Sequence, residues 1–345
     1  MSDQNKILVI MTGGTICSST DEKGQRFSSA SKINIINDFK DGKAGWSPFS
    51  EVVEFDSEMP TDILSENMTV EKWNIILDCI RKVESKKYNG IIILHGTDTL
   101  GFTAPLLSAV LSGYAIPVML VSAQLPLDND GTNGHANFKA AVELIMNGIK
   151  PNVYAVYQNM DGKMYLHLGS RLLQCKNFSD DFESDGMQLI TETDNAKADG
   201  KDFETDTVYI NKMGKLMPSV LCIAPHVGLD YSVFKLDEVK AVVHGTYHTE
   251  SVCVDRSRGI GEITDSSILS FIDRCKEKNV DFFLAPCSAE AFKYESTGDA
   301  LSRGAKPSGE LTLKTAYVKA LVGVSLGLSG GGLAKFITDS INYEK

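Results

Sequence analysis

Clusters of basic residues, long apolar runs, paired cysteines and phosphate-type glycine signatures are all missing from this sequence. Each absence excludes a class of function. The 345 residues carry a formal net charge of -11, and no stretch concentrates lysine and arginine. Nucleic acid is therefore not an expected partner, because phosphate binding needs clustered cations. No segment approaches the ~18 apolar residues of a membrane span. The opening "MSDQNKILVI" lacks a basic region followed by a long apolar core. The expectation is a cytoplasmic protein without membrane contact. The seven cysteines, Cys17, Cys79, Cys175, Cys222, Cys253, Cys275 and Cys287, form no C-x-x-C pair. Free thiols in a reducing compartment are expected, rather than a zinc site or a disulfide framework. No metal and no cofactor is called for.

What is present is an ordinary globular composition, 43% hydrophobic and 23% charged, with no repeats or low-complexity tracts. The length allows two domains with a sizeable core each. Short apolar runs at Ile7–Met11, Ile91–Leu94, Val118–Val121 and Val153–Tyr157 read as buried strands. Helical periodicity lies between them. "TVEKWNIILDCIRKVESK" places Thr69 as an N-cap, with Glu71 and Lys72 in the first turn. "GFTAPLLSAVLSGY" and "HANFKAAVELIMNG" follow, the latter stopped by Gly148. Strands alternating with helices predict an α/β fold with a parallel-type sheet flanked by helices. This N-terminal catalytic domain is expected over 1–190. A polar linker follows over 191–215. A smaller C-terminal α/β domain spans 216–345, where "VKAVVHG", "SSILSFIDRCKEKN", "VDFFLAPC" and "LTLKTAYVKALVGVSLG" restart the rhythm.

Two loops leave predicted strand ends carrying reactive groups, where open α/β sheets bind their ligands. One is Thr12-Gly13-Gly14-Thr15, and the other is His95-Gly96-Thr97-Asp98-Thr99. The first lacks the third glycine of a dinucleotide fingerprint and the lysine of a P-loop. On its own it reads equally well as a tight turn. In the second, Asp98 must be solvated or paired. It could cap the following helix, or it could serve chemistry. A threonine is a poor nucleophile until a base takes its proton. A partly desolvated lysine held by Asp98 could be that base, because burial depresses a lysine pKa. The pattern leaves open which lysine.

"TGGTI" at Thr12–Ile16, together with "LHGTDT" at Leu94–Thr99 about 80 residues on, resembles the bacterial-type L-asparaginase (asparaginase/glutaminase) family, nearest its cytoplasmic type I. "SENMTVEKW" at Ser65–Trp73 resembles the family's substrate-binding turn. "PVMLVSAQLPL" at Pro117–Leu127 resembles the strand after the second threonine motif. "GSRLLQCKNFSDDF" at Gly169–Phe182 resembles the segment that supplies a catalytic lysine. The resemblance implies Thr15 as the nucleophile of a β-acyl-enzyme, with Thr97, Asp98 and Lys176 as the other triad and Lys176 as its base. It implies that Asp98 and Glu66 hold the substrate's α-ammonium and that Ser65 binds its carboxylate. Backbone around Gly96, Thr97 and Ala123 would polarise the amide carbonyl. A homotetramer or homodimer is implied, acting on L-asparagine and, in some members, L-glutamine.

One feature departs from the family pattern. A tyrosine usually follows the nucleophile on a lid, and here that window reads "STDEKGQRFSSA". Gln25 stands at the matching position and Phe27 nearby. Tyr247, in "HGTYHTES", and Glu290, in "PCSAEAFKY", are the other candidates to assist Thr15. His244 and His248 in the former segment lack the glutamate of a metalloprotease motif and read as a hydrogen-bonded loop. Three alternatives accompany the asparaginase reading. A glutaminase or mixed enzyme is one, and a non-catalytic amino-acid sensor is another. The third, an amidase component of a tRNA-dependent amidotransferase, normally carries an extra N-terminal domain, and a first strand at Ile7 argues against it.

Overall fold

The computed structural model describes residues 5–20, 23, 26–28, 34–184, 187–190, 207–256, 262–288 and 294–344. Two compact units result: Met1–Lys212 with Ile341–Tyr343, and Met213–Ser340 with Glu344–Lys345. The division falls within the stretch expected as a linker, of which 191–206 lies outside the described residues.

In the first unit the chain forms β1 (Lys6–Met11), a hairpin of β2 (Ser18–Thr20) and β3 (Arg26–Ser28), α1 (Ile35–Lys40), β4 (Glu54–Glu58), α2 (Val70–Arg81), β5 (Gly90–Leu94), α3 (Leu100–Val110), β6 (Val118–Val121), α4 (Gly134–Met146), β7 (Val153–Gln158), β8 (Met164–Leu168) and β9 (Gln188–Ile190). The sheet order is β4-β1-β5-β6-β7-β8-β9. The five strands from β4 to β7 are parallel, and β8 and β9 add antiparallel. β5 is all apolar after its glycine because helices cover both of its faces, and every residue in it is buried. α2 begins where the Thr69 side chain accepts the Lys72 N–H, and it turns Trp73, Ile76, Leu77 and Ile80 inward. The predicted α/β class holds; β4 and the antiparallel pair β8 and β9 are additions to the predicted strands.

The second unit carries β10 (Val220–Ile223), β11 (Ala241–Gly245), α5 (Ile268–Glu277), β12 (Asp281–Ala285), α6 (Glu295–Arg303), β13 (Lys306–Pro307), α7 (Leu313–Ser325) and α8 (Gly330–Thr338). Its sheet, β10-β11-β12-β13, is parallel throughout. Residues 341–343, near the end of the stretch expected as the C-terminal domain, belong to the first unit. There the Asn342 and Asn152 amides exchange two buried hydrogen bonds, 2.9 and 2.7 Å, and Arg171 donates to the Tyr343 carbonyl.

Three histidines, His95 and His167 in the first unit and His244 in the second, are buried, and burial pushes the pKa of each down to about 4. In the unfolded chain the value is about 6.5. Below pH 6.5 the unfolded chain therefore binds protons that the folded chain refuses. Stability falls as pH drops from about 6.5 to 4 and levels off below that. At pH 5 the loss is about 2 kcal/mol per histidine. Urea unfolding of the full chain at pH 7 and pH 5 checks this. His167→Gln should reduce the acid loss of the first unit by about 2 kcal/mol. An unchanged pH dependence in that variant would contradict burial of a neutral His167.

Candidate active site

The loop after β1, the turn before α2 and the loop after β5 meet backbone to backbone, which only glycine permits. Gly13 and Gly14 have φ of 109° and 81°. A Cβ on Gly13 would lie 2.1 Å from the Ile63 carbonyl oxygen, and one on Gly14 would lie 2.2 Å from the Gly96 backbone. A Cβ on Gly96 would in turn lie 2.4 Å from Ser65 Oγ. Backbone hydrogen bonds seal the contact: Gly14 N–H to Ile63 C=O at 2.7 Å, Ile63 N–H to Thr12 C=O at 3.2 Å, and Thr12 N–H to Leu94 C=O at 3.1 Å.

The two threonines of the first loop then part in role. Thr12 is buried, and its hydroxyl donates to the Leu94 carbonyl at 2.8 Å. Thr15, half-buried, opens a short 3-10 turn, Thr15–Cys17, and its carbonyl accepts from Ser18 Oγ. Among the described residues its own hydroxyl has no hydrogen-bond partner.

In the second loop, Thr97–Thr99 forms a 3-10 turn leading into α3. Buried Ser65 donates its hydroxyl to Asp98 Oδ2 at 3.1 Å and accepts the Asp98 N–H at 3.2 Å. The Asp98 carboxylate is thus committed to Ser65, not to capping the helix. Thr99 donates its hydroxyl to the Ser65 carbonyl at 2.9 Å. Glu66 is exposed beside this turn. Ala123 is fully buried just beyond β6. The adjacent Ser122 donates its hydroxyl to the His95 carbonyl at 2.6 Å, which ties the ends of β5 and β6 together.

A cleft of about 690 Å³ opens at Thr97 and Asp98, and Gln174, Cys175, Lys176 and Asp180 also line it. Lys176 therefore shares the cleft with both loop residues. The expected desolvated lysine paired with Asp98 is not what the structure holds, however. The Lys176 side chain is 75% exposed and pairs with Glu183 at 3.0 Å. The reason is local: a turn closed by Ser179 N–H on the Lys176 carbonyl carries the side chain out toward water. Cys175 is no rival nucleophile, since burial, with Asp180 nearby, pushes its thiol up to about 12.

Tyr247 follows β11 in the second unit, and its N–H donates to the Ser251 carbonyl. Gln25 and Glu290 lie outside the described residues, and of Phe27 only the backbone pairing with Ser19 is described. The sequence pattern did not single out two residues of the site. One is Thr99; the other is Gln174, whose amide bonds to Thr97 and Gly101. The only signal for Gln174 was its place two positions before Lys176. Among the described residues no cluster of three or more His, Cys, Asp or Glu is arranged to hold a metal ion. None of the helices there is long and apolar enough to cross a membrane.

Substituting Gly14 with alanine tests the close approach against backbone strain alone. Gly148 has a similar φ of 79° but open space around it. Gly148→Ala should cost about 1–2 kcal/mol, the left-handed penalty by itself. Gly14→Ala should cost about 2 kcal/mol more, because its methyl collides with backbone that cannot rotate away. Urea unfolding of the two variants reads the difference. Equal losses would mean the loops are not in contact.

Comparison with known proteins adds three findings. The family model described as "Asparaginase, N-terminal" matches residues 6–202. A glutamyl-tRNA(Gln) amidotransferase subunit from Thermoplasma volcanium is 25% identical over 328 residues, 92% of this chain and 75% of that protein. Its counterpart from Saccharolobus islandicus is 32% identical over 139 residues, 40% of this chain and 30% of that one. The match thus spans less than a third of the second relative's length. Among solved structures, L-asparaginase I from Vibrio cholerae shares the fold with a TM-score of 0.73 at 20% identity, over 99% of each chain.

Proposed function

We propose, from the premise that this chain belongs to the asparaginase family, that it hydrolyses the side-chain amide of a small α-amino acid, L-asparagine first. The products are L-aspartate and ammonia. The observation that carries this reading is the division between two threonines. Thr12 commits its hydroxyl to Leu94, whereas Thr15, on a loop that touches the Gly96 loop, has no hydrogen-bond partner for its hydroxyl among the described residues.

The chemistry follows from that arrangement. Thr15 Oγ adds to the amide carbon as its proton passes to a base. The C–N bond breaks, nitrogen leaves as ammonia with a proton, and water then hydrolyses the threonine ester to restore the hydroxyl. Backbone around Gly96, Thr97 and Ala123 polarises the amide carbonyl. Asp98 and Glu66 neutralise the α-ammonium, and Ser65 receives the α-carboxylate. Lys176 serves as the base through Thr97. Its exposed pair with Glu183 is worth roughly 0–1 kcal/mol, so little opposes its turning to Asp98 as substrate displaces water. The role of the missing tyrosine falls to Gln25, with Phe27, Tyr247 and Glu290 as the other candidates. A cytoplasmic homotetramer or homodimer, as in type I enzymes, is part of the same reading.

The likeness to an amidotransferase component along 92% of the chain favours a second reading. Glutamine would then be the amide donor, and the ammonia would pass to a partner protein. Ammonia release from asparagine and glutamine, measured side by side on the isolated chain, separates the two. Faster release from asparagine is expected; release from glutamine alone would favour the second. Thr15→Ala should abolish release from either amide while leaving the fold intact. Lys176→Ala should lower kcat about 10²–10⁴-fold. A loss below about tenfold would remove Lys176 from the role of base.

A further inference from the structure

We infer that Gln174 is a positioning residue that fixes the peptide joining Thr97 to Asp98, an inference that rests on the amidohydrolase reading. The first N–H groups of a helix have no acceptor inside it. Thr99, just before α3, provides no side-chain cap, because its hydroxyl is committed to the Ser65 carbonyl. The vacancy is filled from outside. Gln174 Oε1 accepts the Gly101 N–H at 3.0 Å, and Gln174 Nε2 donates to the Thr97 carbonyl at 2.7 Å. An acceptor facing an N–H and a donor facing a carbonyl make this orientation of the amide the only one that satisfies both.

The Thr97 carbonyl belongs to the same peptide unit as the Asp98 N–H, which donates to Ser65 Oγ at 3.2 Å. One peptide plane is therefore gripped at both ends, by Gln174 on its oxygen and by Ser65 on its nitrogen. Rotation of that plane would swing the Thr97 hydroxyl and the Asp98 carboxylate together. Gly101 makes the grip possible, since a Cβ there would lie 2.8 Å from the Gln174 backbone nitrogen. Gln174 also stands two residues before Lys176. A single side chain thereby locks the strand of chain that carries Lys176 to the turn that carries Thr97 and Asp98.

Two variants of the full chain test this. Gln174→Leu keeps the bulk and removes both hydrogen bonds. It should lower kcat about 10- to 100-fold with the folded fraction, read by circular dichroism, unchanged, as expected for misplacement of about 1 Å. Gln174→Glu still accepts from Gly101 but sets a carboxylate against the Thr97 carbonyl. Only its protonated form restores both bonds, and a glutamate ordinarily titrates near 4.3. Its kcat relative to wild type should thus rise at least about threefold for each pH step down from 7 to 5. A helix cap of purely structural value would move neither quantity. A Gln174→Leu kcat within threefold of wild type, or a flat Gln174→Glu ratio, overturns the inference. Hydrogen exchange at the Gly101 amide is independent of turnover. At least tenfold faster exchange in Gln174→Leu supports the grip, and equal exchange overturns it. If the wild-type chain releases no ammonia from either amide, the amidohydrolase reading fails instead, and the exchange result decides the grip alone.

Discussion

The approach of Gly14 to Gly96 is the constraint on which the site depends. Two parallel strands of a sheet stand about 4.8 Å apart, and the loops leaving them ordinarily diverge around their side chains. Here neither loop carries a Cβ at the point of contact, so the backbones stay together beyond the strand ends. Ser65 is drawn into the same contact because Gly96 has no side chain to exclude it. Three stretches distant in sequence are held in register by the absence of three methyl groups.

Hydrogen bonding then sorts the polar groups that converge there. Thr12, Thr99 and Ser122 give their hydroxyls to main-chain carbonyls, and Ser65 gives its own to Asp98. Each such bond fixes a loop and removes a hydroxyl from chemistry. Thr15 stands apart: among the described residues its hydroxyl has no such partner. The nucleophile proposed above is thus the hydroxyl for which the described scaffold has no use.

Much of this was legible in the residues. β1, β5, β6 and β7 announce themselves because burial on both faces demands continuous apolar runs, and α2 carries its cap in Thr69. β4 did not: "EFDSE" sits at the sheet edge and keeps its charges in water, where Asp56 pairs with Lys6. β8 alternates polar with apolar residues, as an outlying strand can, and a parallel βα rhythm gives no hint of an antiparallel return. At the site, the glycines and the two threonine loops could be found because backbone geometry restricts which residues can stand there. Gln174 could not, since its partners lie 73 and 77 residues away and many residue types suit an ordinary loop. Lys176 was found by likeness of its segment, but its partner depends on how one turn points the side chain, which no spacing encodes.

The buried Asn152–Asn342 pair changes the topology of the whole polypeptide. The chain leaves the first unit after Lys212, comes back to it at Ile341 and passes to the second again at Glu344, so the main stretch of the second unit, Met213–Ser340, is an insertion and the chain crosses between the units three times. Its ends are closed into a loop, and the entropy of that closure grows only logarithmically with the length enclosed. A single break in the polar stretch between the units would therefore not set the two free of each other. The tail would still hold the second unit to the first by an amide clasp that no water reaches.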